Sequence, residues 1–353
     1  MSDKQFFTRA LLQWHAVANH RSMPWKGINN PYLIWISEVI LQQTRVEQGL
    51  AYYERFITRF PTNKELAIAD EEEVLKYWEG LGYYSRARNL HFTAKYIYNE
   101  LKNEFPTDYK NLLKLKGIGP YTAAAIASFA YNEPCAVVDG NVYRVIARYF
   151  AMDDYIDTTQ GKAIYQSLAQ SLLDTLEPAL YNQAIMDLGA TVCKPTNPTC
   201  PICPLAQHCK ALLMDTVALF PIKSKKVKKI DRYFIFLVLY SNDKVLMQKR
   251  ITNDIWKNLY APPILEEEQP YSNRRMQLRL KKMNINSNNI SHISNPEKWV
   301  LTHQNLHAQF VHIQCDNYNT SLDGEWLEKQ ELLKKTLPRF IQKYFLQLYK
   351  LVL

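Results

Sequence analysis

Four of the six cysteines fall in one short stretch, CKPTNPTCPICPLAQHC, where Cys193, Cys200, Cys203 and Cys209 are spaced C-x6-C-x2-C-x5-C. Four thiolates gathered this way suit a metal centre, either a zinc ion or a cubane iron-sulfur cluster, although most structural zinc sites use two close pairs. Two carboxylates invite attention for other reasons. Glu38 lies among Ile34, Ile36, Val39, Ile40 and Leu41. It either sits on the wet edge of its helix or is buried, and burial would raise its pKa and hold a proton for delivery near neutral pH. Asp139 ends the apolar run Ala136-Val137-Val138 and precedes the amphipathic stretch NVYRVIARYF, the position of a helix N-cap. Between the two carboxylates, LLKLKGIGPYTAAAIASFA places Gly117 and Gly119 where an amphipathic helix meets an alanine-rich one. Such a turn can aim backbone N–H groups and the second helix's positive end at a phosphate, and it can equally be an ordinary turn between helices.

These residues need helices to position them. Residues up to about Leu219 read as all-helical, with the repeating apolar patterns FFTRALLQWHAVA, PYLIWISEVILQQ, DEEEVLKYWEG and RARNLHFTAKYIYNELK. Past Phe220 comes KSKKVKK, five lysines in seven residues, which reads as a solvated linker or a phosphate contact. Then YFIFLVLY, a polar SND turn and KVLMQKR read as a β-hairpin. Strand-like KWVLTHQNLHAQFVHIQC and helical LPRFIQKYFLQLYKLV complete an α+β half. The expected domains are therefore 1–222, a basic linker at 223–230, and 231–353.

A chain of 353 residues with 47% hydrophobic residues can fill two cores. The excess of 43 Lys and Arg over 34 Asp and Glu, a formal +9, favours a polyanionic partner. The N-terminal MSDKQFFTRALLQW has no long apolar run, so neither a signal peptide nor a membrane span is indicated and an intracellular protein is expected. In that compartment clustered cysteines read as metal ligands, and the outlying Cys135 and Cys315 as packing residues.

The hairpin, the aspartate about twenty residues beyond it and the six-two-five cysteine spacing resemble the helix-hairpin-helix DNA glycosylase superfamily. SEVILQQT, MPWKGINNPY, FPTNKELA, WEGLGYYSRARNLH and YNQAIMDLGATVC extend the resemblance to its MutY-type adenine DNA glycosylases. The resemblance implies a [4Fe-4S] cluster on Cys193, Cys200, Cys203 and Cys209. It implies Glu38 as the acid that protonates the departing adenine, and Asp139 as the group that stabilises the cationic sugar, with Tyr121 and Asn141 on the sugar side. Where relatives that also nick the strand carry a lysine, this chain has Tyr121, so base removal without a lyase step is expected. Trp25 and Gln183 match the adenine pocket, and Gln42, Gln43 and Tyr83 match residues that enter the duplex. Gly117 and Gly119 match the phosphate-binding turn, and Arg86 and Arg88 are further candidates for phosphate contact.

The C-terminal half resembles the Nudix-like domain of the same family. Glu266, Glu267 and Glu268 form a run, but the glycine and Arg-Glu of a working Nudix box are missing, so no nucleotide hydrolysis is expected. Where many relatives read 8-oxoguanine with a Phe-Ser-His turn, this chain has Leu301-Thr302-His303, which keeps the hydroxyl and loses the aromatic ring. The implied partner is duplex DNA carrying 8-oxoguanine·adenine or guanine·adenine mispairs, bound by a monomer in a bacterial cytoplasm, with no membrane involved.

Overall fold

The computed structural model describes residues 3–224, 229–316, 318 and 322–349. The middle of the expected linker, 225–228, and the end of the expected C-terminal helix, 350–353, lie outside the described residues. Two compact units emerge, one comprising 1–68 with 89–226 and the other 69–88 with 227–353. Residues 69–88, which the sequence reading placed in the helical half, thus cluster with the sheet.

The helices run α1 (Asp3–Ala18), α2 (Pro31–Leu41), α3 (Val46–Arg59), α4 (Asn63–Ile68), α5 (Glu71–Tyr77), α6 (Ser85–Glu100), α7 (Tyr109–Leu112), α8 (Pro120–Tyr131), α9 (Gly140–Phe150), α10 (Thr159–Leu172), α11 (Pro178–Thr191) and α12 (Lys210–Leu213). Helix α2 starts cleanly because Asn30 accepts from the N–H groups of Tyr32 and Leu33, and Pro31 occupies a first-turn position where no donor is needed. It is apolar on nearly every side, and residues Tyr32 and Ile34 to Ile40 are buried against α3 and α8. Helix α8 contributes the small buried side chains Ala123 to Ala125 and Ala127, which keep that packing close. The first helix of the hairpin is shorter than its apolar pattern suggests. Helix α7 ends at Leu112, Leu113 to Gly117 continue as turns and a bend, and Gly117 takes a left-handed conformation at φ +79°.

Helices α1, α9, α10 and α11 share a second core around Phe7, Leu11, Val145, Ile146, Tyr149, Tyr165, Ile185 and Leu188. Leu205, Ala211 and Phe220 belong to it, so the cysteine-bearing loop is anchored in the same core.

The other unit is built on a mixed sheet. Strand β1 (Ile230–Ser241) turns at Asn242, φ +49°, into β2 (Lys244–Lys249), the hairpin expected from the sequence. The remaining strands are β3 (Tyr260–Ala261), β4 (Ile264–Glu267), β5 (Ile290–Ile293), β6 (Glu297–Val300), β7 (Gln304–Gln314) and β8 (Glu325–Glu328). β1 and β7 pair in parallel along their length, from Ile230↔Gln304 to Tyr240↔Gln314. β4 flanks β1 on its other edge, antiparallel from Tyr233↔Glu267 to Phe236↔Ile264. Both faces of β1 are covered, which is why YFIFLVLY is apolar without alternation. Phe234, Phe236 and Phe310 pack against Phe340, Ile341 and Phe345 of a helix at Arg339–Leu348. Ile235, Leu237, Val311 and Ile313 pack against Met276 and Leu280 of a helix at Asn273–Lys282. In chain order these helices are α15 and α13, with α14 (Lys329–Lys334) between them.

Candidate active site

An open pocket of about 940 Å³ in the helical unit gathers Trp25, Glu38, Gln42, Gln43, Tyr121, Asp139, Asn141 and Gln183. Eight residues scattered over 160 positions meet because α2, α8, α9 and α11 bring their ends or faces to one side. Glu38 is only 6% exposed, held by the apolar helix that carries it. The Tyr121 hydroxyl, in the first turn of α8, donates to Glu38 Oε2 at 2.5 Å. Burial pushes the Glu38 carboxyl up to about 7; the Tyr121 bond opposes this, and the nearby Asp139 charge adds to it. Burial and the two carboxylates raise the Tyr121 phenol far above its ordinary range, so it remains a donor.

Asp139 caps α9, as its position in the sequence suggested. Its Oδ1 accepts from the N–H groups of Asn141 and Val142, each at 2.8 Å, and its Oδ2 from the Asn141 side-chain amide at 2.7 Å. Burial raises its pKa too, but these donors and the Arg144 guanidinium pull back. Asp139 thus accepts three hydrogen bonds that favour its charged form, against one for Glu38.

Gln183 on α11 donates to Asp187 one turn further on, at 3.1 Å. Asp187 is fully buried and also receives Arg21 at 2.9 Å, Asn19 at 2.8 Å and Lys26 at 2.5 Å. The sequence reading missed this polar wall of the pocket. The signal was present in the i, i+4 spacing of Gln183 and Asp187 on one helix face, but their cationic partners lie more than 160 residues away. Trp25 is buried edge-on to Tyr53, with ring centroids 5.1 Å apart. Gln42 reaches the Thr122 hydroxyl at 3.3 Å, and Gln43 is held at φ +60°.

Gly117 and Gly119 lie at the hairpin for different reasons. A Cβ on Gly117 would meet Asn89 Cβ at 2.6 Å, so packing and its positive φ both require glycine. A Cβ on Gly119 would meet nothing within 4 Å, so no protein neighbour explains the bare backbone.

The four cysteines line one small recess behind α9 with Val145, Leu188, Val192 and Leu205. Arg148 is buried there, with Nη1 3.4 Å from Cys193 Sγ and its other bonds to the carbonyls of Lys194, Pro195, Val217 and Phe220. Arg144, also buried, reaches the carbonyls of Cys193, Gly140 and Gly189 and Asn141 Oδ1. Among the described residues neither guanidinium has a hydrogen-bonded carboxylate, an arrangement that calls for another anion. Four metal-bound thiolates supply one, so the recess fits a thiolate-ligated cluster. A single zinc would draw its four sulfurs to about 3.8 Å from each other. Among the described residues no three His, Cys, Asp or Glu side chains are gathered for one ion. The sequence reading also overlooked Arg144 and Arg148, although their i, i+4 spacing put both on one face of α9.

Tyr83, Thr302 and His303 come together in the other unit, where they line an open groove of about 500 Å³ with Arg88, Trp256 and Leu301. The Leu301–Gln304 turn joins β6 to β7, closed by the Leu301 N–H on the Gln304 carbonyl at 2.8 Å. The Thr302 hydroxyl meets that of Tyr83, itself held at φ +48°. Arg86 stacks over Trp78 and Tyr83, at 5.2 and 5.7 Å from their ring centroids. Arg88 donates to the Lys257 carbonyl at 2.8 Å. Of the acidic run, Glu266 and Glu267 close strand β4 and Glu268 comes just past it. Glu266 is bound by Arg232 at 2.6 Å and Glu267 by Arg279 at 3.1 Å.

A hairpin before an alanine-rich helix, a capping aspartate and a buried glutamate on one pocket and a cysteine-lined recess define a base-excision DNA glycosylase scaffold. Residues 36–170 match the HhH-GPD superfamily of base excision DNA repair proteins, and residues 234–347 match the NUDIX domain. The chain is 31% identical to the adenine DNA glycosylase of Buchnera aphidicola subsp. Schizaphis graminum, over 98% of this chain and 99% of that one. It is 40% identical to the Mus musculus adenine DNA glycosylase over 60% of this chain and 42% of that one. A thermostable thymine-DNA glycosylase superposes with a TM-score of 0.56 and 27% identity, covering 60% of this chain and 97% of that one. The chain belongs to the adenine DNA glycosylase family, and it is a hydrolytic DNA N-glycosylase of base-excision repair. Among the described residues, no helix is long and apolar enough to cross a membrane.

Proposed function

We propose that the chain excises adenine paired with 8-oxoguanine or guanine by simple hydrolysis, without cutting the strand. The observation that carries the reading is the pair of carboxylates on one pocket, Glu38 buried and pushed up to about 7 and Asp139 held by three hydrogen bonds to its charged form. Glu38 delivers its proton to a ring nitrogen of the flipped adenine, the glycosidic bond breaks and the base leaves neutral. The Asp139 carboxylate stabilises the positive charge left on the sugar, and water adds at C1′ and gives up a proton, which restores the Glu38 acid. Asn141 keeps Asp139 oriented through its side-chain amide. Each 1.36 kcal/mol removed from the barrier gives about tenfold in rate, and a positioned general acid contributes roughly 10²–10⁴-fold. Trp25 and Gln183 supply the apolar and hydrogen-bonding walls for the base, and Gln42 and Gln43 accompany base flipping.

A lyase needs an amine at the sugar. The residue beside Glu38 is a phenol, and the one lysine lining the pocket among the described residues, Lys26, is held by Asp187 and the Arg21 carbonyl. Cys193, Cys200, Cys203 and Cys209 would hold a [4Fe-4S] cluster, whose thiolate charge would offset that of Arg144 and Arg148. Gly119 allows a DNA phosphate to approach the hairpin backbone. In the sheet unit Thr302 offers the hydroxyl that meets the oxidised base, and Tyr83 stands beside it.

Single-turnover release of adenine from duplexes carrying 8-oxoguanine·adenine and guanine·adenine pairs tests this reading. Strand breakage should require hot alkali, and Glu38→Gln should abolish release while duplex binding persists. Breakage without alkali, or release by Glu38→Gln, would overturn it.

A further inference from the structure

Helix α13 packs on the sheet through Met276 and Leu280, and its remaining surface is cationic: Arg274, Arg275, Arg279, Lys281 and Lys282. No acidic residue lies in the helix. At about 100° per residue, Arg274, Lys281 and Lys282 project within about 60° of the direction opposite Met276 and Leu280. All three are exposed and, among the described residues, their side chains have no hydrogen-bond or ion-pair partner. Arg275 folds back on Gln269 at 3.0 Å and on the Pro270 carbonyl, and Arg279 is paired with Glu267.

Helix electrostatics account for only part of this. Arg279, Lys281 and Lys282 lie in the last turn, where the helix dipole favours cations. Arg274 and Arg275 lie in the first turn, where the dipole disfavours them, and Ser272 makes no side-chain cap. The charge there therefore works against the helix itself. An anion lying across the face would relieve it. Leu278 is the one exposed apolar residue among these cations, too little for the apolar centre of a protein interface.

We infer that the outward face of α13 binds the phosphodiester backbone of duplex DNA, without regard to sequence or lesion, as a contact separate from both pockets. The inference rests on DNA being this enzyme's substrate. Backbone contacts made by unpaired cations release counterions, so each adds about 0.9 to the log–log salt dependence of binding.

The test uses the full, cluster-loaded chain and a variant with Arg274→Gln, Lys281→Gln and Lys282→Gln. Dissociation constants for an undamaged duplex are measured over a salt series, beside a control with Lys162→Gln, Lys334→Gln and Lys343→Gln, three exposed lysines elsewhere. The salt slope should fall by about 2 to 3 for the α13 variant and by less than 1 for the control. Single-turnover adenine release at saturating enzyme should match the unmodified chain in both. An unchanged slope would overturn the inference, and so would an equal fall in the control, which would mark a net-charge effect. Because excision is scored separately, failure of the α13 contact leaves the excision reading standing, and loss of excision in the unmodified chain would be a failure of that reading alone.

Discussion

At Glu38 burial and one hydrogen bond act against each other. Burial pushes its carboxyl up to about 7, and the Tyr121 hydroxyl on Oε2 opposes that rise. Since the protonated form delivers the proton, single-turnover excision should decline as pH rises through about 7. Tyr121→Phe should move that decline to higher pH, by a few tenths of a unit to about one unit. A pH–rate profile with the decline in its original place would assign it to another group. The same shift has a consequence for stability. Between the ordinary glutamate value of 4.5 and about 7 the folded chain keeps a proton that the unfolded chain has lost, so stability from this site falls as pH rises through that window. Glu38→Gln cannot ionise and escapes the loss. Urea unfolding should find it more stable than the parent at pH 8, on the order of 2 kcal/mol, and little changed at pH 4.5. Equal stabilities at pH 8 would place the titration elsewhere.

Helix α9 carries Asp139 at one end and the cysteine loop along its flank. Asp139 caps it, Arg144 links Asn141 to the Cys193 carbonyl, and Arg148 reaches Cys193 Sγ. Arg148→Met keeps most of the packing volume and removes the charge, so purified protein should retain less iron and sulfide per chain; full occupancy would show that the guanidinium is dispensable. Helix α11 approaches α9 so closely at Gly189 that a Cβ there would meet Asn141 Cβ at 2.6 Å and its backbone oxygen at 2.9 Å. Gly189→Ala should destabilise the unit by about 1–3 kcal/mol and slow excision by displacing Asn141. Its unfolding midpoint and single-turnover rate together check both effects.

Much at this scale was legible in the sequence, because α2, α8 and α9 announce themselves through capping residues, apolar runs and glycines whose partners are local. The cap at Asp139 and the burial of α2 around Glu38 are such features. What was not legible depends on pairings distant in the chain. The Asp187 wall needs Arg21 and Lys26, and the role of Arg148 emerges only when carbonyls near residues 194 and 220 converge on it.

At the scale of the whole molecule, the path of the chain decides which parts unfold together. DEEEVLKYWEG reads only as one more helix of the helical half, yet Glu72 pairs with Lys249 and the Leu337 N–H donates to Glu79 at 2.9 Å. Lys76 donates to the Leu333 and Lys335 carbonyls, and Arg88 to that of Lys257. Residues 69–88, including Tyr83, therefore gain their stability from the sheet, although nearly 150 residues separate them from β1. Protection against hydrogen exchange reports such cooperative units. Phe310 is buried between Phe236 and Tyr344, with centroids at 5.0 and 3.5 Å, so Phe310→Ala should remove about 3–5 kcal/mol from the sheet unit. Exchange at the amides of α5 and of Leu81 to Arg88 should then rise together with that of β1 and β7, while Ala123 to Ala127 in α8 stay protected. If α5 instead kept the protection of α8, its stability would come from the helical unit, and the link from the sheet to Tyr83 would be lost.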